Sequence, residues 1–270
     1  MLGSPWPGGG LRGRIAWLSA AALLALAGCA TVDDVLVRLQ PLVGGDSIEV
    51  ATFSRAGADD EPARYWLPYI VTPSKPRTHY RTARVDGGVA LEARANRSAS
   101  GLYRPIRIDL RQHPLLEWRW KVAHLIPGAD NRIAQREDSP ARLIVAFNGD
   151  PQKLDFLERG KMRLAKALSG QELPYATLMY VWSNAHPAET VIHNPHISRI
   201  RMIVVESGDG RVGRWAEYRR DLAADYRRAF EEEPAEVLAV GLMTDSDNTR
   251  EQARAWYGDI TFRKRSSTAP

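Results

Sequence analysis

The sequence predicts an all-β fold, a two-sheet β-sandwich of jelly-roll type (galactose-binding or concanavalin-like) with one or two short inserted helices. Roughly ten short segments alternate apolar and polar residues between Gly, Pro, Asn and Asp turn signals, the pattern of sandwich strands. Within the sandwich only two segments carry helical spacing, besides a short one in the preceding tether at Val32, Val35, Leu36 and Leu39. The third observation is the stretch from Val237 to Phe262, which looks like two neighbouring strands joined by one polar loop. Val237, Ala239, Gly241 and Met243 alternate with Leu238, Val240 and Leu242, so both faces of the first strand are apolar and it belongs inside a packed sheet. Trp256, Gly258, Ile260 and Phe262 alternate with Tyr257, Asp259 and Thr261, as in a strand with one core face.

The other elements follow in order. Ser47 to Phe53 reads as a first strand. Ser54 to Pro76 is proline-rich yet carries Tyr65, Trp66, Leu67, Tyr69 and Ile70, which predicts a loop folded onto the core as a lid. Thr78 to Val85 and Val89 to Ala95 flank Asp86, Gly87 and Gly88, a hairpin signal. Leu102 to Leu110 keeps Ile106, Ile108 and Leu110 in phase, and Leu115 to Val122 sets Leu116, Trp118, Trp120 and Val122 against Glu117, Arg119 and Lys121. Ala141 to Phe147 is apolar on both faces except at Arg142. Asp150 and Pro151 read as the cap and first residue of one helix, with Leu154, Leu157, Leu164 and Leu168 on a face and Gly170 as its stop. Thr177 to Trp182, Ile200 to Ser207 and Gly213 to Arg219 continue the strands, and Asp221 caps a second helix with Leu222, Tyr226 and Phe230 at helical spacing.

At the N-terminus Arg12 and Arg14 precede an apolar run from Ile15 to Ala27, too short to span a bilayer and shaped like a secretory signal. Its end, Leu26, Ala27, Gly28 and Cys29, resembles the lipobox of bacterial lipoproteins, which implies cleavage before Cys29 and lipid on the chain's one cysteine. Ala30 rather than aspartate follows, which by the enterobacterial sorting rule implies the periplasmic face of the outer membrane. The expected organisation is therefore a signal peptide over 1–28, a lipidated tether over 29–46, the sandwich over 47–263 and a disordered tail over 264–270. Cleavage removes Arg12 and Arg14, so 37 basic residues become 35 against 32 acidic ones, a net charge of about +3. The basic residues form no run, so nucleic acid is not an expected partner.

Taken together, the segments resemble a family of exported bacterial proteins known as domain of unknown function 3047. The resemblance rests on LEWRWKV (Leu116 to Val122), Asp138 and Ala141 before a strand, YVWSN (Tyr180 to Asn184), Asn194 with Pro195, VVESG (Val204 to Gly208) followed by Trp215, DYRRAF (Asp225 to Phe230), and GLMTDSDNT followed by YGDI. It spans Ser47 to Phe262. Ser139 and Pro140 after Asp138, and Ser246 where the pattern carries threonine, depart from it. No activity comes with the resemblance.

Several residues offer chemistry. Asp245, Asp247 and Asn248, with Glu251 nearby, space hard oxygens as a calcium ion would use them, but the glycine and distant glutamate of an EF-hand are missing. The same side chains also suit a metal-free turn, so no cofactor is required and a structural calcium stands as the alternative. Asp259, with Glu49 as partner, is a second metal candidate by analogy with carbohydrate-binding jelly rolls. Trp118, Trp120 and Trp182 share strand faces with core residues, whereas Trp66, Tyr69 and Trp215 lie where they could reach a ligand. Glu206 is in phase with Met202 and Val204 and needs a partner, for which Arg142 or Arg119 is a candidate. His193 and His196 flank Asn194 and Pro195, which favours a turn over zinc. The reading is a lipid-anchored envelope module that binds a polysaccharide or peptidoglycan without catalysis. The alternatives are a glycan hydrolase or lyase using Glu206, Asp138 or Asp245, and a structural lipoprotein.

Overall fold

The structure, a computed structural model, describes residues 43–62, 65–169 and 174–265. The signal segment, Cys29, most of the tether, Gly170 and residues 266–270 lie outside them. Among the described residues fourteen strands are present, first β1 (Val43–Gly44), β2 (Ser47–Ala51), β3 (Leu67–Ile70), β4 (His79–Val85), β5 (Gly88–Asn96), β6 (Ala99–Ile108) and β7 (Leu115–Val122). Then come β8 (Arg142–Phe147), helix α1 (Phe156–Ser169), β9 (Ala176–Ser183), β10 (Val191–His193), β11 (Ile200–Ser207), β12 (Ala216–Asp221), helix α2 (Leu222–Phe230), β13 (Val237–Asp245) and β14 (Gln252–Arg263). They form two seven-stranded sheets, the expected all-β sandwich. The first has the order β1-β2-β14-β5-β4, with β7 along the other side of β14 and β12 beyond it. The second runs β10-β11-β9-β8-β13-β6-β3, and its β9–β11 pair is parallel.

Alternation places the core. On β7 Leu116, Trp118, Trp120 and Val122 are buried, while Glu117, Arg119 and Lys121 are not. Trp118 stacks on Tyr218 with centroids 4.9 Å apart, and Trp120 and Tyr257 meet edge-on at 6.5 Å. The Asp86–Gly87 hairpin forms as expected, with φ of 48° and 82°, the left-handed pair that a two-residue turn between twisted strands requires. Tyr80 and Tyr257 of the first sheet reach across to the second: the Tyr80 hydroxyl donates to the Ser100 carbonyl, and that of Tyr257 to the Met243 carbonyl at 2.7 Å.

The structure corrects four expectations. β13 and β14 are not sheet neighbours; they belong to opposite sheets, β13 between β6 and β8 and β14 between β5 and β7. A register break between Tyr257 and Ile260 then reverses the phase of β14, so that Tyr257 joins Ile260 and Phe262 in the core between the sheets, while Trp256 lies on the opposite face of the sheet, buried beneath Arg254 and Lys121. The segment expected to be only a lid supplies edge strand β3, paired with β6. The helix expected from Asp150 is broken: Asp150 caps a short 3-10 turn, Asp155 Oδ1 accepts the Glu158 N–H at 2.7 Å to start α1, and Leu157 is exposed while Leu154 is buried.

The sandwich has two distinct ends. At one, the base, Val237 lies beside Ile108 and Phe147, Phe147 beside Ala176, and Leu115 beside Asp221 and Arg263. Residues 109–114 join the two sheets there, and the described chain enters at Val43 and leaves beside it, with the Lys264 N–H donating to the Asp46 carbonyl at 3.1 Å. The opposite loop end carries the connections 97–98, 123–141 and 246–251. The described core is built only from residues after Val43, so a chain starting at Leu39 contains all of it.

Gly101 lies where β3, β6 and β13 meet, and a Cβ there would stand closer than 3.0 Å to the Leu242 carbonyl. We expect Gly101→Ala to lower the free energy of urea unfolding by about 1–3 kcal/mol, because backbone must move. Gly210→Ala, where nothing lies within 4 Å, should leave it unchanged.

Candidate loop-end site

The loop end is organised around a buried cation. Arg142, the single charge in an apolar strand, is 2% exposed at the start of β8. Its Nε and Nη2 donate to the two Asp245 carboxylate oxygens at 2.8 and 3.0 Å, its Nη1 donates to Glu137 Oε1 at 2.6 Å and its Nη2 to the Glu137 carbonyl at 2.9 Å. Asp138 takes the neighbouring place: it accepts the Asn248 N–H at 3.3 Å and the Thr249 N–H and hydroxyl at 2.7 and 2.6 Å. Lys75 reaches Asp247 at 2.5 Å, and the Asn248 amide donates to the Glu137 carbonyl at 3.3 Å. The segment before β8 and the loop after β13 are thus one hydrogen-bonded unit.

The Asp245 carboxyl is raised from 3.8 to about 7: burial is the largest cause, Glu137 and Asp138 add to it, and the Arg142 charge offsets part of the rise. Burial alone would lower the Arg142 guanidinium, but the charges of Asp245 and Glu137 outweigh it and hold it protonated. Tyr69 stands near this group, and burial raises its phenol.

Asp138, Asp245 and Asp247 each present one oxygen within 4.8 Å of the others. Protein groups already meet them: both oxygens of Asp138 and Asp245 are hydrogen-bonded and Asp247 Oδ2 faces Lys75, while Asp247 Oδ1 is buried with no hydrogen-bond partner among the described residues. Asn248 turns its amide to the Glu137 carbonyl and stands outside that group. Asp259 lies elsewhere, accepting the Ser54 N–H at 2.9 Å, and Glu49 is bound by Arg55 at 2.8 and 2.9 Å rather than paired with Asp259.

A cavity of about 410 Å³ opens beside this unit, lined by Arg97, His124, Arg250 and Glu251 among others. Arg97 and Arg250 are held in the left-handed region, φ 51° and 60°, which costs a non-glycine residue about 1 kcal/mol or more. The turns that impose it lock each other: Arg97 Nε donates to the Arg250 carbonyl at 3.2 Å, and the Arg97 N–H to the Glu251 carbonyl at 3.0 Å. Among the described residues neither guanidinium has an ion-pair partner. Below the cavity the outer face of the first sheet stays basic. Arg94 and Arg254 lie directly opposite on β5 and β14, and with Arg81 they enclose Glu92, with contacts of 3.4 Å from Arg81, 2.9 Å from Arg94 and 2.6 Å from Arg254. Burial pushes Glu92 up, but Arg94 and Arg254 together overcome it and hold the carboxyl below its usual range.

The remaining predicted residues lie apart. Trp66 is 5% exposed and packs on Phe53 with centroids 5.5 Å apart, so it belongs to the core. Trp215 is half-buried with the Arg119 guanidinium 4.7 Å over its ring. Glu206 is paired not with Arg142 or Arg119 but with the Tyr218 hydroxyl at 2.9 Å and Arg211 at 3.7 Å. Asn194 Oδ1 accepts the N–H groups of His196 and Ile197, the turn its sequence suggested, and His186 meets Asp130 at 2.7 Å. Sequence reasoning missed Glu137, Lys75, Arg97 and Arg250; the one signal was Arg142, a charge in an apolar strand that demanded an acidic partner such as Glu137.

Arg142→Met should cost about 3–5 kcal/mol, because it strands two buried carboxylates. Asp245 has a folded pKa above its unfolded value, so its contribution to stability is full below pH 4 and is lost as pH rises through about 7. Removing Arg142 raises that value further, so the penalty measured by urea unfolding should be larger at pH 8 than at pH 5. Equal penalties would show that Asp245 is ionised independently of Arg142.

No curated protein matches the sequence. Among solved structures the chain is similar to the cleaved adhesin domain of Lys-gingipain, at 9% identity and TM-score 0.38 over 80% of this chain and 98% of that one. It is also similar to an agarase, at 9% identity and TM-score 0.29 over 82% of this chain and 25% of that one. Neither likeness is close enough to carry an inference. The family model described as protein of unknown function (DUF3047) matches residues 64–261, most of the sandwich just described, and the chain belongs to that family.

Proposed function

We propose that the domain is a non-catalytic binding module for an anionic glycan of the cell envelope, taken up at the loop-end cavity. The observation that carries this reading is the pair of arginines, Arg97 and Arg250, held in strained conformations at the rim of a 410 Å³ cavity without an acidic partner among the described residues. Strain of this kind persists where the surroundings enforce it, and ligand clamps are a frequent site of it. Guanidinium groups suit carboxylate or phosphate through paired donors. The basic face continues along Arg94 and Arg254 to Glu92 and Trp256, four residues of strand or roughly 13 Å, enough for two or three sugar units. Both outer tryptophans already carry cations, Arg119 over Trp215 and Arg254 at 4.6 Å over Trp256, so recognition there is electrostatic rather than by ring stacking. The candidate acids Asp138 and Asp245 are committed to Thr249, Asn248 and Arg142, which favours binding over hydrolysis. Lipid on Cys29 would hold the module at the outer membrane.

The test is affinity electrophoresis of the chain from Leu39 through gels containing polygalacturonate, alginate, peptidoglycan fragments or neutral dextran, with the polymer then sized. The anionic polymers should retard the protein and remain intact. Arg97→Ala with Arg250→Ala should weaken retardation at least tenfold, about 1.4 kcal/mol or more, while lowering the melting temperature only by what the lost Arg97 Nε to Arg250 carbonyl bond contributes, a few degrees at most. Equal retardation by dextran, or indifference to the double substitution, would remove this reading, and shortened polymer would make the protein an enzyme.

A further inference from the structure

We propose that the start of α1 is a membrane contact in which Phe156 and Leu157 insert into an anionic lipid surface. Among the described residues three large apolar side chains stand exposed: Ile133 at 38%, Phe156 at 77% and Leu157 at 65%. The last two are adjacent and the most open. Their platform is fixed, because Leu154 before them is buried, Asp155 caps the helix and Met162 packs on the core. After Glu158, the sequence from Arg159 to Lys166 carries Arg159, Lys161, Arg163 and Lys166 and no acidic residue; Arg163 is exposed, while the Arg159 guanidinium donates to the Gln152 and Leu154 carbonyls. An apolar tip followed by a basic run is what binds a helix flat to an anionic leaflet, the apolar part entering the acyl boundary and the cations meeting headgroups.

Position selects a membrane over other occupants. The connection 148–175 that contains α1 leaves the base, where the Asn148 N–H donates to the Glu236 carbonyl at 2.8 Å. The described chain enters the sandwich at that same end, at Val43. Cys29 lies fourteen residues before Val43, at most roughly 50 Å of extended chain. A bilayer holding lipid on Cys29 is therefore within reach of the base and of the exposed pair. The proposal does not depend on the glycan reading.

The experiment uses the chain from Leu39, which lacks Cys29 and the apolar leader and so carries no cysteine. It should sediment with vesicles of phosphatidylcholine and phosphatidylglycerol, poorly with phosphatidylcholine alone, and less as salt rises. Phe156→Ser with Leu157→Ser should reduce sedimentation at least tenfold with an unchanged melting temperature. In Leu157→Cys, the single cysteine labelled with an environment-sensitive dye should blue-shift on the mixed vesicles. Absence of vesicle binding, binding unaffected by the double substitution, or a dye that remains in water would each overturn the proposal. So would a dimer that the double substitution dissociates, since the face would then be an interface between copies.

Discussion

A guanidinium removed from water has to be surrounded by acceptors, and Arg142 imposes that requirement on everything at its end of the sandwich. Two of its acceptors come from Asp245, the last residue of β13, and two from Glu137, in the connection that leads into β8. Meeting that demand fixes the course of residues 137–141, and Asp138 then holds the loop after β13 by its backbone. The loop in turn carries Arg250 and Glu251 to the rim of the cavity, against Arg97. A buried pair of this kind contributes little net stability compared with apolar packing; what it supplies is one allowed arrangement of loops that have little apolar surface of their own.

Much of the fold was legible because apolar phase is a local property. LEWRWKV declares its buried face residue by residue, and Asp86–Gly87 states its turn directly. What failed to show was pairing. The doubly apolar face of β13 marks a central strand, but it names no neighbour, and so two strands close in sequence were placed in one sheet when they lie in opposite sheets. The irregularity after Tyr257 was equally silent, although it decides that Tyr257 rather than Trp256 faces the core between the sheets.

The site was less legible, for a related reason. Arg142 announced itself as a charge in an apolar strand, and the acidic loop as a cluster, but their union spans 103 residues. Arg97 and Arg250 sit singly in unremarkable turns, and their significance arises only where the two turns meet. The aromatic residues misled in the opposite way: Trp66, in a proline-rich segment, looks available to a ligand until Phe53 is found against it.

The neighbouring ends of the described chain at the base have a practical meaning. The Lys264 N–H reaches the Asp46 carbonyl, so a short linker between these points would close the chain on itself, and a host protein could accept the whole sandwich as an inserted cassette. Neither operation would touch the arginine rim, because every segment that forms it turns at the far end of the strands. The architecture therefore keeps the ends of the described chain apart from the arginine rim, and design can alter one without disturbing the other.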